Sequence, residues 1–220
     1  ASSSAMFVAC AALIAGCGDR PDFWDTSTPS PPSAVAAEGA VAVLDAPARR
    51  VVLLAPDGDL SLAATPVAIG KGARPLATTP DRRTVLALTR GDVPRRTADA
   101  EAPALFAIDA SDGLGLRARY PLTDPLSGLA VDPQGTYAIV HAESDDASFV
   151  SNPNELVVVD LSRAPSAQNP APLTLRSFGG RPERLDFTTA LGLPGGPKRL
   201  RDAETDRDVA LLDLANPTSG

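Results

Sequence analysis

Two cysteines, Cys10 and Cys17, and one histidine, His141, carry the side chains best suited to nucleophilic or metal-binding chemistry in this sequence. Zinc centres take several Cys and His ligands, so this small inventory argues against a multi-Cys or multi-His metal site. A thiol can also act as a nucleophile and become alkylated. The residues around Cys17 favour this last use.

An uncharged apolar run, residues 5–16, stands directly before Cys17. It is shorter than the roughly 20 residues that a membrane-spanning helix needs, so it matches the apolar core of a secretory signal. The segment LIAGC, residues 13–17, resembles the bacterial lipoprotein signal, in which small residues precede a cysteine. The resemblance implies that residues 1–16 are removed and that the Cys17 thiol receives a diacylglycerol. The other interpretation is a buried cysteine within an apolar helix.

Residues 17–37 form the second segment, which follows the predicted signal. They are rich in Pro, Ser and Thr, a composition that cannot pack a core, so we expect an extended tether. Several acyl chains on Cys17 would anchor the chain stably to a membrane. We therefore expect a bacterial envelope protein that lies outside the cytoplasm, in the periplasm or at the surface. The formal net charge of −7 argues against a nucleic-acid partner.

Residues 38–220 repeat a pattern of apolar strands and turns with a period near 50. Asp109, Asp160 and Asp213 close three apolar runs and lie 51 and 53 residues apart. Short runs rich in Val, Leu and Ile between turn formers indicate buried strands. The 22 prolines and 17 glycines favour many turns. A period of this length indicates stacked supersecondary units, with four-stranded propeller blades among the main candidates.

The repeat predicts the strands of each unit. One unit has strands at 75–79, 84–89, 104–109 and 115–120, and the next has strands at 127–132, 136–141, 155–160 and 172–177. An incomplete unit precedes them, with strands at 40–45, 50–55 and 61–69, and a further unit begins at Arg181 and reaches a strand at 208–214. Four charged residues, Lys198, Arg199, Arg201 and Asp202, crowd one expected strand of the last unit, so we expect that unit to be distorted or peripheral.

Three segments resemble the YVTN-type repeat of seven-bladed β-propellers: VDPQG (131–135), FAID (106–109) with DG (112–113), and VVVD (157–160). The resemblance implies an all-β chain, a β-propeller of four-stranded antiparallel blades. Residues 38–220 hold about three to three and a half blades, whereas closed propellers carry four to eight. We therefore expect the sequence to be a fragment that is truncated at its C-terminus. A complete small β-sandwich is the alternative.

No segment matches a known catalytic or cofactor motif. Asp57, Asp59, Asp112 and the other loop aspartates lack the ligand spacing of a calcium loop and suit tight turns. Lys71 lacks the surroundings of a phosphate loop, and no nucleophile elbow accompanies His141. The sequence therefore predicts no catalytic, cofactor-binding or metal-binding residue.

The charged loops are the remaining candidates for a functional surface. In an antiparallel meander, the connections from second to third strand and those between blades emerge at the same end. We therefore predict a binding face that gathers Arg74, Arg95, Arg96, Asp145, Asp146 and Arg181. The alternative for these residues is a set of solvated loops.

The predicted function is that of a non-catalytic binding or scaffold module at the cell envelope, which binds a protein, a glycan or another envelope component. The alternative is a propeller enzyme, lactonase-like or a quinone- or metal-dependent dehydrogenase, with its site largely outside this segment.

Overall fold

The computed structural model shows an all-β chain, with no helix among the residues that it describes. These residues are 33–56, 61–111, 115–143, 149–174, 185–187, 198–201, 208–211 and 214. All of them belong to one compact unit, Pro32–Gly220. Within these ranges no helix is long and apolar enough to cross a membrane. The predicted signal, residues 1–16, and Cys17 lie outside the described residues.

The strands form three four-stranded antiparallel sheets in which neighbouring strands follow the chain order. The first sheet contains β1 (Ala34–Ala37), β2 (Ala40–Asp45), β3 (Arg50–Leu54) and β4 (Val67–Ala68). The second contains β5 (Ala73–Thr78), β6 (Thr84–Thr89), β7 (Ala104–Asp109) and β8 (Gly115–Pro121). The third contains β9 (Gly128–Val131), β10 (Tyr137–His141), β11 (Glu155–Asp160) and β12 (Ala171–Thr174). A two-stranded sheet pairs β13 (Lys198–Arg201) with β14 (Asp208–Leu211).

The second sheet lies between the other two, and its central strands, β6 and β7, are buried on both faces. Side chains alternate across a strand, so Val85 and Ala87 of β6 join the core against the first sheet, whereas Leu86 and Leu88 join the core against the third. Every residue of β6 is buried. A strand covered on both sides reads as a continuous apolar run, which explains the sequence TVLALT.

Strand β7 divides its side chains in the same way. Phe106 and Ile108 pack in the core shared with the first sheet, and Leu105 and Ala107 in the core shared with the third. Tyr120 of β8 is also buried in the second core, where its hydroxyl donates a hydrogen bond to the Arg163 carbonyl at 3.0 Å. Each sheet is thus fixed to its successor by aliphatic packing with few aromatic residues.

The first strands of the three sheets lie next to one another. β1 contacts β5, and β5 contacts β9. At the turns that follow these strands, the Glu38 amide donates to the Arg82 carbonyl at 3.0 Å, which ties the first sheet to the second. This order of separate four-stranded sheets is propeller-like, and it differs from the two facing sheets of a sandwich.

Aspartates close the turns at one end of the sheets. Asp109 Oδ1 accepts hydrogen bonds from the Ser111 amide (2.9 Å) and hydroxyl (2.7 Å), and Asp160 repeats the arrangement with Ser162 at 2.9 and 2.6 Å. These bonds lower the pKa of Asp109 below its usual value. The recurring aspartates of the sequence therefore serve turn geometry at these two positions.

The structure differs from the prediction at the first sheet, which has four strands where the sequence predicted three. The additional strand, β1, comes from residues 34–37, the end of the segment assigned to the tether. Ser33 fixes this strand, since its carbonyl accepts from the Leu44 amide at 2.8 Å and its hydroxyl from the Leu76 amide at 3.2 Å. The strand predicted at 61–69 is reduced to Val67–Ala68 and an isolated bridge between Leu62 and Leu54. Pro66, between these two parts, has no amide to donate to the sheet.

Two substitutions in β7 test whether both faces of this strand are buried. Leu105→Ala and Ile108→Ala each remove a fully buried side chain, one from each core, and each should lower the free energy of unfolding by about 2–5 kcal/mol. Urea unfolding of the purified variants measures this change.

Leu116→Ala is the matched control, because Leu116 is 52% exposed on β8. It should change the free energy of unfolding by no more than about 0.5 kcal/mol. If Leu105→Ala or Ile108→Ala behaved like this control, one face of the second sheet would be open to solvent.

Candidate functional site

Three connections meet at the end of the sheets opposite the aspartate turns and enclose a cleft of about 220 Å³. The β6–β7 connection contributes Arg90, residues 92–95 and Pro103. The β8–β9 connection contributes residues 123–125, and the β10–β11 connection contributes Phe149. We call this site the loop cleft. The sequence assigned two kinds of connection to one face, those from second to third strand and those between sheets. Both kinds line this cleft.

The β6–β7 connection is fixed to the loop before β5. Lys71 Nζ lies 2.8 and 3.0 Å from the two carboxylate oxygens of Asp92, and the Glu101 amide donates to Asp92 Oδ2 at 2.9 Å. Glu101 Oε1 in turn accepts from the Lys71 amide at 3.0 Å. The bonds from Lys71 and from the Glu101 backbone lower the pKa of Asp92. The carboxylate therefore stays charged and keeps the loop in place across the ordinary pH range.

Gly91 allows this loop to close at its base. Its φ is +65°, a conformation that residues with a Cβ rarely adopt, and an added Cβ would overlap the Glu101 carbonyl. The two ends of the loop can therefore approach closely enough for the Asp92 amide to donate to the Glu101 carbonyl at 3.0 Å.

Asp124 joins the β8–β9 and β10–β11 connections beneath the cleft. It is only 8% exposed, and its two carboxylate oxygens accept from the Ser151 amide at 2.8 Å and the Ser151 hydroxyl at 3.0 Å. Arg90 Nε donates to the Pro125 carbonyl at 3.0 Å, which fixes the guanidinium at the cleft wall. Hydrogen bonds between successive sheets thus set the shape of the cleft.

Two arginines, Arg90 and Arg95, and two aspartates, Asp92 and Asp124, are the charged residues among the described lining of the cleft. Asp92 and Asp124 already accept hydrogen bonds from the protein, as given above. Arg95, by contrast, is exposed and forms no ion pair within the part of the chain that the structure describes. Phe149, 47% exposed, supplies an apolar wall. The arrangement suits an anionic group that is attached to an apolar one.

The residues predicted for the binding face have different positions. Arg95 lines the loop cleft, whereas Arg96 faces a more open depression on the same loop, next to Asp99. Arg74 is exposed on β5 at this end of the sheet but does not line the cleft. The other predicted residues, Asp145, Asp146 and Arg181, lie outside the described residues.

Sequence reasoning missed Arg90, Asp124 and Phe149. Arg90 directly follows a predicted strand, and the other two lie in the same classes of connection as Arg95. The sequence signal that could have found them is their position in, or next to, the connections assigned to the binding face. Their convergence depends on how far each loop folds toward its neighbour, which the repeat period does not describe.

His141 ends β10, and its ring packs directly over Gly128, where an added Cβ would overlap it. Its Nδ1 lies 3.3 Å from the Ala142 carbonyl oxygen. Among the described residues, no group of three or more His, Cys, Asp or Glu side chains could hold a metal ion. The position of His141 is thus explained by packing between β9 and β10.

Comparisons with known proteins gave no family assignment. No protein-family model matches the chain, and no curated protein matches it. One similar solved structure is a functionally unknown protein from Desulfotomaculum acetoxidans DSM 771, with 13% sequence identity and a TM-score of 0.42. The match covers 68% of this chain and 43% of that one, so this chain spans less than half of that structure's length.

Glu155, at the start of β11, has a raised pKa because it is partly buried and, second, because the Asp124 carboxylate repels its charge. The folded chain then holds a proton more tightly than the unfolded chain, so stability falls as pH rises from the usual value of 4.5 through the raised one. Glu155→Gln removes the ionisable group and with it this loss of stability at higher pH. The melting temperature of the variant should exceed that of the parent at pH 7.5, and the difference should shrink at pH 4. A difference that is the same at both pH values would contradict this assignment.

Proposed function

We propose that this chain is a lipid-anchored β-propeller that binds a protein or another envelope component outside the cytoplasm, without catalysis. The loop cleft is the observation that carries the proposal, because it is assembled from connections of two successive sheets and is held by bonds between them. Scaffolds whose rigid sheets position loops at one end commonly use those loops for binding.

Three features support the propeller of YVTN type. The four-stranded sheets follow one another along the chain, and their first strands are adjacent. The Asp-x-Ser turns at Asp109 and Asp160 recur at the repeat period. The far face of the third sheet also carries a core, in which Ile139 and Leu156 pack against Leu185 and Phe187. Residues that follow the third sheet in the chain therefore cover its far face, as a further blade would.

The lipid anchor rests on the sequence around Cys17. The short apolar run and the small residues before the cysteine suit signal cleavage. The described fold begins at Ser33, which leaves the residues between Cys17 and Ser33 to separate the lipid from the sheets.

A binding role suits the side chains of the cleft better than catalysis does. Catalysis by acid–base or nucleophilic chemistry needs a nucleophile or base within hydrogen-bond reach of its partner. The cleft instead presents arginines, prolines and a phenylalanine, and its two carboxylates hold loops together. These groups can recognise a ligand by charge and shape.

Lipid attachment is tested with the two cysteines. When the protein is expressed with its leader in a bacterium that makes lipoproteins and fed a labelled fatty acid, Cys17→Ser should abolish incorporation of the label. The Cys17→Ser variant should also partition out of the detergent phase when the detergent and aqueous phases are separated. Cys10→Ser is the matched control and should keep both properties, because residue 10 is removed with the signal. Equal labelling of the Cys17→Ser variant would refute the anchor.

Binding at the cleft is tested by cross-linking in living cells. A photo-reactive amino acid at Thr123, which is exposed on the cleft wall, should give a discrete adduct, and Arg95→Glu should remove it. The same amino acid at Gln134, exposed in the β9–β10 turn at the other end of the third sheet, is the control. Adducts of equal yield from both positions, or an adduct unaffected by Arg95→Glu, would argue against the proposal.

A further inference from the structure

We propose that the loop cleft binds a polypeptide segment that presents a carboxylate next to an apolar side chain. This inference rests on the proposed binding role of the cleft and names the chemistry of its partner. It is carried by the position of Arg95, by the size of the cleft and by the composition of its walls.

The guanidinium of Arg95 favours an anionic group in the ligand. Asp92 is neutralised by Lys71 at 2.8 and 3.0 Å, and Asp124 is buried and occupied by Ser151. The guanidinium of Arg95 has no carboxylate partner within the described ranges. Arginine presents a planar fork of donors that matches a carboxylate, so this group is the natural partner.

The volume of the loop cleft is large enough for only a small part of a larger ligand. Sites that enclose a whole small molecule usually measure about 300–1,000 Å³, whereas the loop cleft measures about 220 Å³. This volume suits one apolar side chain, with its neighbouring carboxylate at the rim beside Arg95. A peptide segment can place these two groups on adjacent residues.

The walls of the site favour a polypeptide over a glycan. Val93, Pro94, Pro125 and Phe149 form an apolar surface beside the charge. Among the described residues that line the cleft there is no Asn, Gln, Trp or Tyr, although amides and broad aromatic rings suit the many hydroxyl groups of a sugar. Apolar contact, a charge-assisted bond to Arg95 and a hydrogen bond to the Thr123 hydroxyl are the interactions that these described residues offer.

Fluorescence anisotropy with a labelled hexapeptide that contains adjacent Asp and Leu residues tests the proposal at low salt. The peptide should bind, and exchanging its Asp for Asn, or its Leu for Ser, should weaken binding about tenfold. Arg95→Glu should weaken binding of the Asp-Leu peptide by at least about tenfold. Arg96→Glu makes the same change of net charge one residue away, outside the cleft, and should weaken binding less than about threefold.

Three results would overturn the proposal: equal affinity for the Asp and Asn peptides, equal loss in the two arginine variants, or tighter binding of a sialylated trisaccharide, which carries a carboxylate without an apolar side chain. If the Thr123 adduct persists in cells while the peptides fail to bind, the ligand class is wrong and the site stands. If both are absent, the proposed function itself fails. Thermal unfolding of each variant confirms that the fold is retained.

Discussion

The burial of both faces of the two central strands of the second sheet is the constraint on which the rest of the structure depends. Its strands β6 and β7 must supply apolar side chains in both directions, and they can do so because the sheets on either side cover them completely. These central strands offer no open face to a ligand. The connections at the ends of the strands are the parts that emerge from this core, which is where the proposed binding site lies.

The two ends of the sheets differ in how their connections are made. At one end, short turns are closed by Asp109 and Asp160, whose carboxylates bind the serine two residues later. At the other end, the longer connections bind to one another, through Lys71 and Asp92 and through Asp124 and Ser151. Because these bonds join successive sheets, the same contacts that order the sheets also shape the loop cleft. A change at Asp124 should therefore alter the stability of the fold and the shape of the cleft together.

The sequence predicted the central strands of the sheets far better than the edges of the first sheet. The strands at 84–89, 104–109 and 155–160 coincide with β6, β7 and β11, because burial on both faces leaves an unbroken apolar run. The strand β1 was missed, since Ala34–Ala37 has small side chains and follows a Pro/Ser-rich stretch. Arg95, which was predicted for the binding face, lies in the β6–β7 connection and lines the cleft. Asp124 and Phe149 were missed because their role arises only when loops that are distant in sequence approach.

The charge of the cleft shows why net charge is a poor guide to a binding site. The chain carries a formal charge of −7, which by itself suggests a preference for cations. Many of its carboxylates, however, accept hydrogen bonds within turns and between loops, as Asp92, Asp109 and Asp124 do. Acids that are used in this way hold the fold together and offer little to a ligand, whereas Arg95 is exposed and has no carboxylate partner among the residues that the structure describes. The local potential at the cleft therefore depends on which charges the fold has already paired, and this is how an acidic protein could present the anion site proposed above.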